Sequence, residues 1–138
     1  MIINLETAMK TIKYSRQRES VKDFLSTRRD HPTAETIYTG LRESDPGISL
    51  GTVYRNLNLL AELGEIQKLS SGYGPDRFDP CVQPHYHFVC TSCEAMTDLF
   101  MEPSGELEKR AAACCSGRIH HHTLFFYGIC EKCEAKAN

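Results

Sequence analysis

The residues able to do chemistry are concentrated in one part of the chain. Residues 1–80 hold no cysteine, whereas residues 81–138 hold all seven cysteines and five of the six histidines. Four of the cysteines form two Cys-x2-Cys pairs, Cys90-Thr91-Ser92-Cys93 and Cys130-Glu131-Lys132-Cys133. Each such knuckle aims two thiolates at one point, and two knuckles complete a tetrahedral Zn(2+) site. Four soft thiolates leave no open position, so the expected zinc is structural and its binding energy counts as folding energy. Two redox dithiols are the competing reading, but each pair borders a strand-like run, as a staple does. The 36 residues between the pairs exceed a compact zinc ribbon, so a strand–helix–strand insert is expected there.

A second constellation is His31, Asp79, His85, His87 and Asp98. Residues i and i+2 of a strand share a face, so His85 and His87 can reach one ion. Three imidazoles and two carboxylates suit a first-row divalent ion such as Fe(2+) or Mn(2+) and leave room for a small ligand. Taken singly, the residues have plainer readings, His31 as a helix cap and Asp98 as an exposed strand carboxylate. Because His31 and Asp79 precede the cysteine-rich part, a shared ion would tie two modules together and set the angle between them. The run His120-His121-His122 reads either as an exposed polar strand, with His120 and His122 on one face, or as a second metal patch. Cys114 and Cys115 are expected to be buried small apolar side chains on a helix. Cys81 lies near the second constellation and is a candidate for oxidation.

These residues need a frame. Ser15 is a candidate cap for a helix carrying Val21, Phe24 and Leu25, and His31-Pro32 interrupts it. Thr33 caps a second helix through Leu41, and Asp45-Pro46-Gly47 is a turn signal. Ser49 opens the strongest periodic segment, with Val53, Leu57 and Leu60 on one stripe and Gly64 as its stop. The opposite face carries Thr52, Arg55, Asn56 and Asn58, with Tyr54 at its edge. Ile66–Leu69 and Arg77–Asp79 flank a Ser/Gly/Pro cluster, a hairpin pattern. Helix, helix, polar-faced helix and hairpin add up to a winged helix-turn-helix. Beyond the boundary at Pro80–Pro84, short strands are predicted at Tyr86–Val89 and Met96–Phe100, a helix over Glu106–Cys115 and a strand-like run over Ile119–Ile129. The predicted class is α+β: a winged-helix DNA-binding domain over residues 1–79, a linker over 80–84, and a small α/β zinc domain over 85–138, which buries so little core that it needs staples or a partner subunit.

Composition narrows the function classes. The 138 residues are 41% hydrophobic and 25% charged, an ordinary globular balance. Net charge is −2, so nucleic-acid binding must come from a local patch, and Arg16, Arg18, Arg55, Lys68 and Arg77 spread around the expected DNA side. No run approaches the ~18 apolar residues of a membrane span, and Met1–Glu6 lacks the pattern of a signal peptide. A cytoplasmic protein with reduced thiols is expected. No cysteine or serine has a base at a recognisable spacing, so an enzyme is disfavoured.

Four motifs together resemble the ferric uptake regulator (Fur) family of metal-dependent repressors. They are His31-Pro32-Thr33-Ala34-Glu35-Thr36-Ile37-Tyr38, Ser49-Leu50-Gly51-Thr52-Val53-Tyr54-Arg55-Asn56-Leu57, His85-Tyr86-His87-Phe88-Val89-Cys90-Thr91-Ser92-Cys93, and Tyr127-Gly128-Ile129-Cys130-Glu131-Lys132-Cys133. The resemblance implies a homodimer on double-stranded operator DNA, with an N-terminal winged helix and residues 85–138 as a C-terminal α/β dimerisation domain. It places Tyr54 and Arg55 among the operator-reading residues, with Thr52 and Asn56 on the same face and Arg18 on phosphate. Within the family the chain looks most like the peroxide-sensing branch, whose three His and two Asp map onto His31, Asp79, His85, His87 and Asp98. That likeness implies oxidation of His31 or His85 when Fe(2+) meets hydrogen peroxide, while Mn(2+) supports DNA binding without that chemistry. An iron- or zinc-uptake regulator is the alternative within the family, and it commonly has Glu where Asp79 stands. His122 matches one ligand of the family's additional metal site, which Pro84 and Tyr86 leave incomplete. Ser15-Arg16-Gln17-Arg18 stands where the family usually shows Thr-Pro-Gln-Arg, and Glu94 where it usually has glycine.

Overall fold

The computed structural model describes residues 13–137, so Met1–Glu6 lies outside the described residues. Three helices come first: α1 (Arg16–Ser26), α2 (Ala34–Leu41) and α3 (Leu50–Glu62). Each starts where a hydroxyl can replace a missing helical partner. Ser15, Thr33 and Ser49 accept from the N–H groups of Arg18, Thr36 and Thr52. Gly64, at φ 74, ends α3 in the left-handed region, and the Glu65 N–H returns to the Leu60 carbonyl. The helices bury one cluster, Val21, Leu25, Ala34, Ile37, Leu41, Ile48, Val53, Leu57, Leu60, Ile66 and Phe78.

The hairpin follows as β1 (Gln67–Leu69) and β2 (Arg77–Asp79), paired antiparallel with Gln67 opposite Asp79. The chain after His31 adds to its edge. The Phe78 N–H donates to the Pro32 carbonyl, and Thr33 bridges Arg77. This completes the winged helix and places His31 and Asp79 side by side.

The C-terminal part holds β3 (Tyr86–Cys90), β4 (Met96–Leu99), α4 (Gly105–Ala113), β5 (Phe125–Gly128) and α5 (Glu131–Lys136). The sheet order is β4-β3-β5, with β4 antiparallel and β5 parallel to β3. Antiparallel β4 returns the chain to the end where β3 starts, and the segment through α4 carries it past β3 so that β5 adds to the other edge. The apolar cluster here is small. Leu69, Val89 and Met96 are buried with Phe125 against them, and Leu69 comes from the hairpin. The whole architecture is α+β.

Three local expectations need correction. The strand expected over Ile119–Ile129 is confined to Phe125–Gly128, because pairing to β3 begins only at Phe125 opposite His87. His120 and His121 therefore lie on irregular exposed chain, where strand alternation does not apply. Cys114 and Cys115 are exposed, because α4 ends at Ala113 and buries none of its residues. Helix α5 was not anticipated, although Glu131 and Glu134 in its first turn and Lys136 in its last complement the helix dipole.

Candidate metal centres

The four cysteines converge through strand register. Cys90 ends β3 opposite Gly128 of β5, and the Thr91 N–H donates to the Gly128 carbonyl at 2.8 Å. This brings Cys130, two residues after β5, beside Cys90. The Cys90 Sγ accepts the N–H groups of Cys93 and Cys130, each at 3.4 Å. Between the two pairs, the Sγ atoms of Cys93 and Cys130 stand 3.7 Å apart, with no disulfide formed. A tetrahedron with Zn–S bonds of about 2.3 Å has S···S edges of about 3.8 Å. All four sulfur atoms lie within 4.8 Å of one another. The two N–H groups lower the Cys90 thiol to about 6. Cys133, although the Ser92 side chain favours its thiolate, is pushed up to about 11 by the Cys130 and Cys93 thiols beside it. Four thiolates this close repel one another until a cation neutralises them, so the donor set fits zinc.

The knuckle explains an odd residue. Glu94 has φ 65, in the region where a side chain crowds its own backbone. The turn from Cys90 to Glu94, closed by the Glu94 N–H on the Cys90 carbonyl, requires that conformation. Glycine would take it without strain.

The five-residue constellation also converges. His31 lies between α1 and α2, Asp79 ends β2, His85 precedes β3, and His87 on β3 pairs with Asp98 on β4. The Nε2 atoms of His31, His85 and His87 stand 3.2, 2.9 and 3.2 Å from the Asp79 Oδ2. From the Asp98 Oδ1 they stand 2.9, 3.1 and 3.2 Å. Adjacent ligands bonded to one first-row ion at about 2.1 Å and right angles are separated by about 3.0 Å. All five donor atoms fall within 4.8 Å of one another.

The protonation pattern supports a cation at the centre. The His85 Nδ1 donates to the Gln83 carbonyl at 2.7 Å, so the neutral ring presents a bare Nε2 lone pair to two carboxylate oxygens. Acceptors facing acceptors need a proton or a metal between them. Burial works against charging His31, but the hydrogen bond and charge of Asp79, joined by Asp98, raise it above its ordinary value. His85 is raised too, since the Gln83 carbonyl and both carboxylates outweigh burial. Burial alone would raise the Asp79 carboxyl, yet His31, His87 and the Cys81 N–H hold it far below the usual carboxylate range. Protons thus do in part what a divalent ion would do fully, and the donor set fits iron or manganese. His31, Asp79 and His87 are buried, while Asp79 and Asp98 border a cleft of about 440 Å³ shared with Arg28, Arg29 and Cys81, and His85 borders a separate cavity beside Pro84 and Tyr86.

His122 joins no group of three or more metal-ligating residues among the described residues. Its Nδ1 donates to Glu108 at 2.9 Å, and its Nε2 accepts from the Tyr86 hydroxyl at 2.8 Å. That hydroxyl accepts the Ser104 N–H at 2.7 Å. Tyr86 thus joins His122 in a hydrogen-bonded chain reaching α4. Of the expected DNA side, Arg55 is exposed on α3 and donates to the Thr52 hydroxyl at 3.0 Å. Thr52 and Asn56 are half-buried on the same helix, and Tyr54 packs partly against the core. Arg18 donates to the Lys13 carbonyl. Arg77 departs from the sequence reading, because its guanidinium turns inward to the His31 and Glu94 carbonyls. Gln83 and Cys81 orient ligands through backbone atoms, which no residue pattern announces.

A winged helix joined through a five-donor pocket to a cysteine-stapled α/β module defines a metal-responsive transcriptional regulator rather than an enzyme. The chain belongs to the ferric uptake regulator family, whose model matches residues 9–127. It is 35% identical over 135 residues to the peroxide operon regulator of Bacillus subtilis, covering 97% of this chain and 93% of that one. Its fold matches the peroxide stress regulator of Campylobacter jejuni at a TM-score of 0.72 and 28% identity, covering 96% of this chain and all of that one. The Helicobacter pylori ferric uptake regulator, described with three functional metal-binding sites, matches in fold at a TM-score of 0.75 and 23% identity, over 96% and 95% of the two chains.

Proposed function

We propose that the protein is a peroxide-sensing repressor that binds operator DNA as a homodimer while a divalent ion is held by His31, Asp79, His85, His87 and Asp98. The observation carrying this reading is the convergence of five donors from both halves of the chain on one point. An ion there fixes the hairpin end at Asp79 and the loop at His31 to the sheet that carries His87 and Asp98. It thereby sets where α3 is presented. Zinc held by Cys90, Cys93, Cys130 and Cys133 staples the other end of that sheet.

Iron, when bound, would supply the one-electron redox chemistry that activates hydrogen peroxide, while the two electrons that reduce the peroxide come in the end from a histidine ring. The rest follows from the side chains. The cleft beside Arg28, Arg29 and Cys81 is wide enough for a small oxidant to reach the Asp79 and Asp98 side of the site. The rings of His31 and His85, whose Nε2 atoms stand 2.9 and 3.1 Å from the Asp98 Oδ1, are the oxidisable groups of the donor set. One ring gains one peroxide oxygen and the other oxygen leaves as water. A modified ring no longer offers the same Nε2 donor, so the tie between the halves is lost and the operator is released. The same five donors would hold manganese, which would not supply that chemistry. The B. subtilis and C. jejuni relatives support this branch of the family.

Operator contacts are assigned to Thr52, Tyr54, Arg55 and Asn56 on α3, entering the major groove, with Arg18 on phosphate. A second copy is the natural cover for α4, which buries nothing, and for exposed Phe100, Met101, Leu107, Phe126 and Ile129. Action on DNA places the protein in the cytoplasm. Among the described residues no helix is long and apolar enough to cross a membrane.

The test is operator binding, followed by fluorescence anisotropy, of anaerobically prepared Fe(2+) and Mn(2+) forms before and after equimolar peroxide. Release from the iron form alone is expected. Equal resistance of both forms would assign the protein to the uptake regulators instead.

A further inference from the structure

His31 is the one metal-ligand candidate with an unfavourable backbone. Its φ of 50 places a β-carbon residue in the left-handed region, immediately before Pro32. Such a conformation is strained and persists only where the surroundings over-determine it. The surroundings here are traceable. Pro32 is held by the Phe78 N–H on its carbonyl, and Thr33 by its bridge to Arg77 and its cap on α2. The His31 carbonyl itself accepts from Arg77 Nη1 at 3.1 Å. The other arm of the same guanidinium, Nη2, donates to the Glu94 carbonyl at 3.1 Å. Glu94 closes the turn of the first cysteine knuckle, which is itself in the left-handed region. One planar fork therefore spans the strained backbone of a regulatory ligand and the strained backbone beside the cysteine site.

We propose that Arg77 is a positioning residue for the regulatory ion: it holds the His31 carbonyl so that His31 Nε2 stays aimed at Asp79 and Asp98, taking its bearing from the cysteine knuckle. The inference rests on the reading that the five donors hold a divalent ion. Arginine suits the task because its donors diverge in a fixed plane and reach two carbonyls at once. A lysine ammonium at the same place reaches one.

The test uses the full-length, zinc-containing protein, with Mn(2+) affinity measured by competition against a fluorescent metal indicator and zinc measured by elemental analysis. Arg77→Ala is expected to weaken Mn(2+) binding by about 10- to 100-fold, the range found when a residue supporting a metal ligand is removed, with zinc content unchanged. A double-mutant cycle separates positioning from general support. In a His31→Ala background, Arg77→Ala should cost nothing further, because the residue it acts through is gone. Co(2+) substituted for Mn(2+) should give Arg77→Ala visible absorption bands close to those of His31→Ala. Unchanged Mn(2+) affinity in Arg77→Ala, or losses that multiply in the double variant, overturns the proposal. If Arg77→Ala fails to fold, Arg77→Lys decides. A loss of Mn(2+) affinity with zinc retained supports it, and wild-type affinity overturns it. Failure of the wild-type protein to take up Mn(2+) would instead remove the five-donor reading itself, and would be seen before any variant is made.

Discussion

Replacing Cys130 with serine removes one corner of the thiolate cluster and leaves a hydroxyl that stays protonated at neutral pH. The size of the effect follows from how little else holds the C-terminal sheet. Its apolar cluster contains three buried side chains, Leu69, Val89 and Met96, with Phe125 partly buried against them. At about 1.5–3 kcal/mol per fully buried side chain, those three contribute roughly 5–9 kcal/mol. Structural zinc in small domains contributes about 10–16 kcal/mol of apparent binding energy, so metal outweighs burial here. The N-terminal cluster is larger and lies on other elements, with Val21, Leu25, Ile37, Val53 and Leu57 fully buried. Cys130→Ser should therefore lose zinc to a mild chelator, lose hydrogen-exchange protection across β3, β4 and β5, and keep it in α1, α2 and α3. The proposed dimer should dissociate as well. Elemental analysis and exchange mass spectrometry on one sample read both halves of the prediction. A zinc-free variant with β3–β5 protected as in the wild type would refute the claim that zinc is the main staple.

Two further perturbations test the DNA face and the pocket. Arg55→Ala should weaken operator binding by a factor corresponding to about 1–3 kcal/mol while leaving the unfolding midpoint nearly unchanged, because the side chain is exposed; equal affinity would remove α3 from the operator contacts. For the protein with zinc but no second ion, the raised values of His31 and His85 mean that their contribution is present below their ordinary 6.5 and lost as pH rises through the raised values. The depressed Asp79 contributes above its ordinary 3.8, a contribution lost only on strong acidification. Urea unfolding should then show the pocket's contribution greatest between about pH 4 and 6.5 and declining above, and Asp79→Asn should flatten that profile. Mn(2+) affinity should run the other way and rise with pH, since the ion displaces the same protons.

The parts legible in the sequence were those fixed by local rules. Ser15, Thr33 and Ser49 cap the helices they were expected to cap, and Gly64 ends α3 as a left-handed glycine should. Cysteine spacing announced the first cluster, because a knuckle is a local structure. The five-donor set was harder. Only His85 and His87 are related by strand period, and His31 and Asp79 meet them through tertiary pairing of the Pro32 and Phe78 backbones. Parallel pairing of β5 with β3 decides that Cys130 reaches Cys90, and composition does not encode strand direction. Arg77 looked like one more basic side chain on the DNA side. Its partners are the carbonyl oxygens of His31 and Glu94, and backbone acceptors leave no residue signature. Tyr86 was legible as a residue that leaves the family's additional metal site incomplete, but its link to His122 and Ser104 depends on how the chain after α4 returns.

The most direct measurement of the central claim is peptide mass analysis of the anaerobically prepared protein after one equivalent of hydrogen peroxide. Iron-loaded and manganese-loaded samples would be compared over the peptides containing His31 and His85. One added oxygen on either histidine in the iron form, and none in the manganese form, is the predicted result. Unmodified His31 and His85 in the iron form, with the operator still bound, would contradict it.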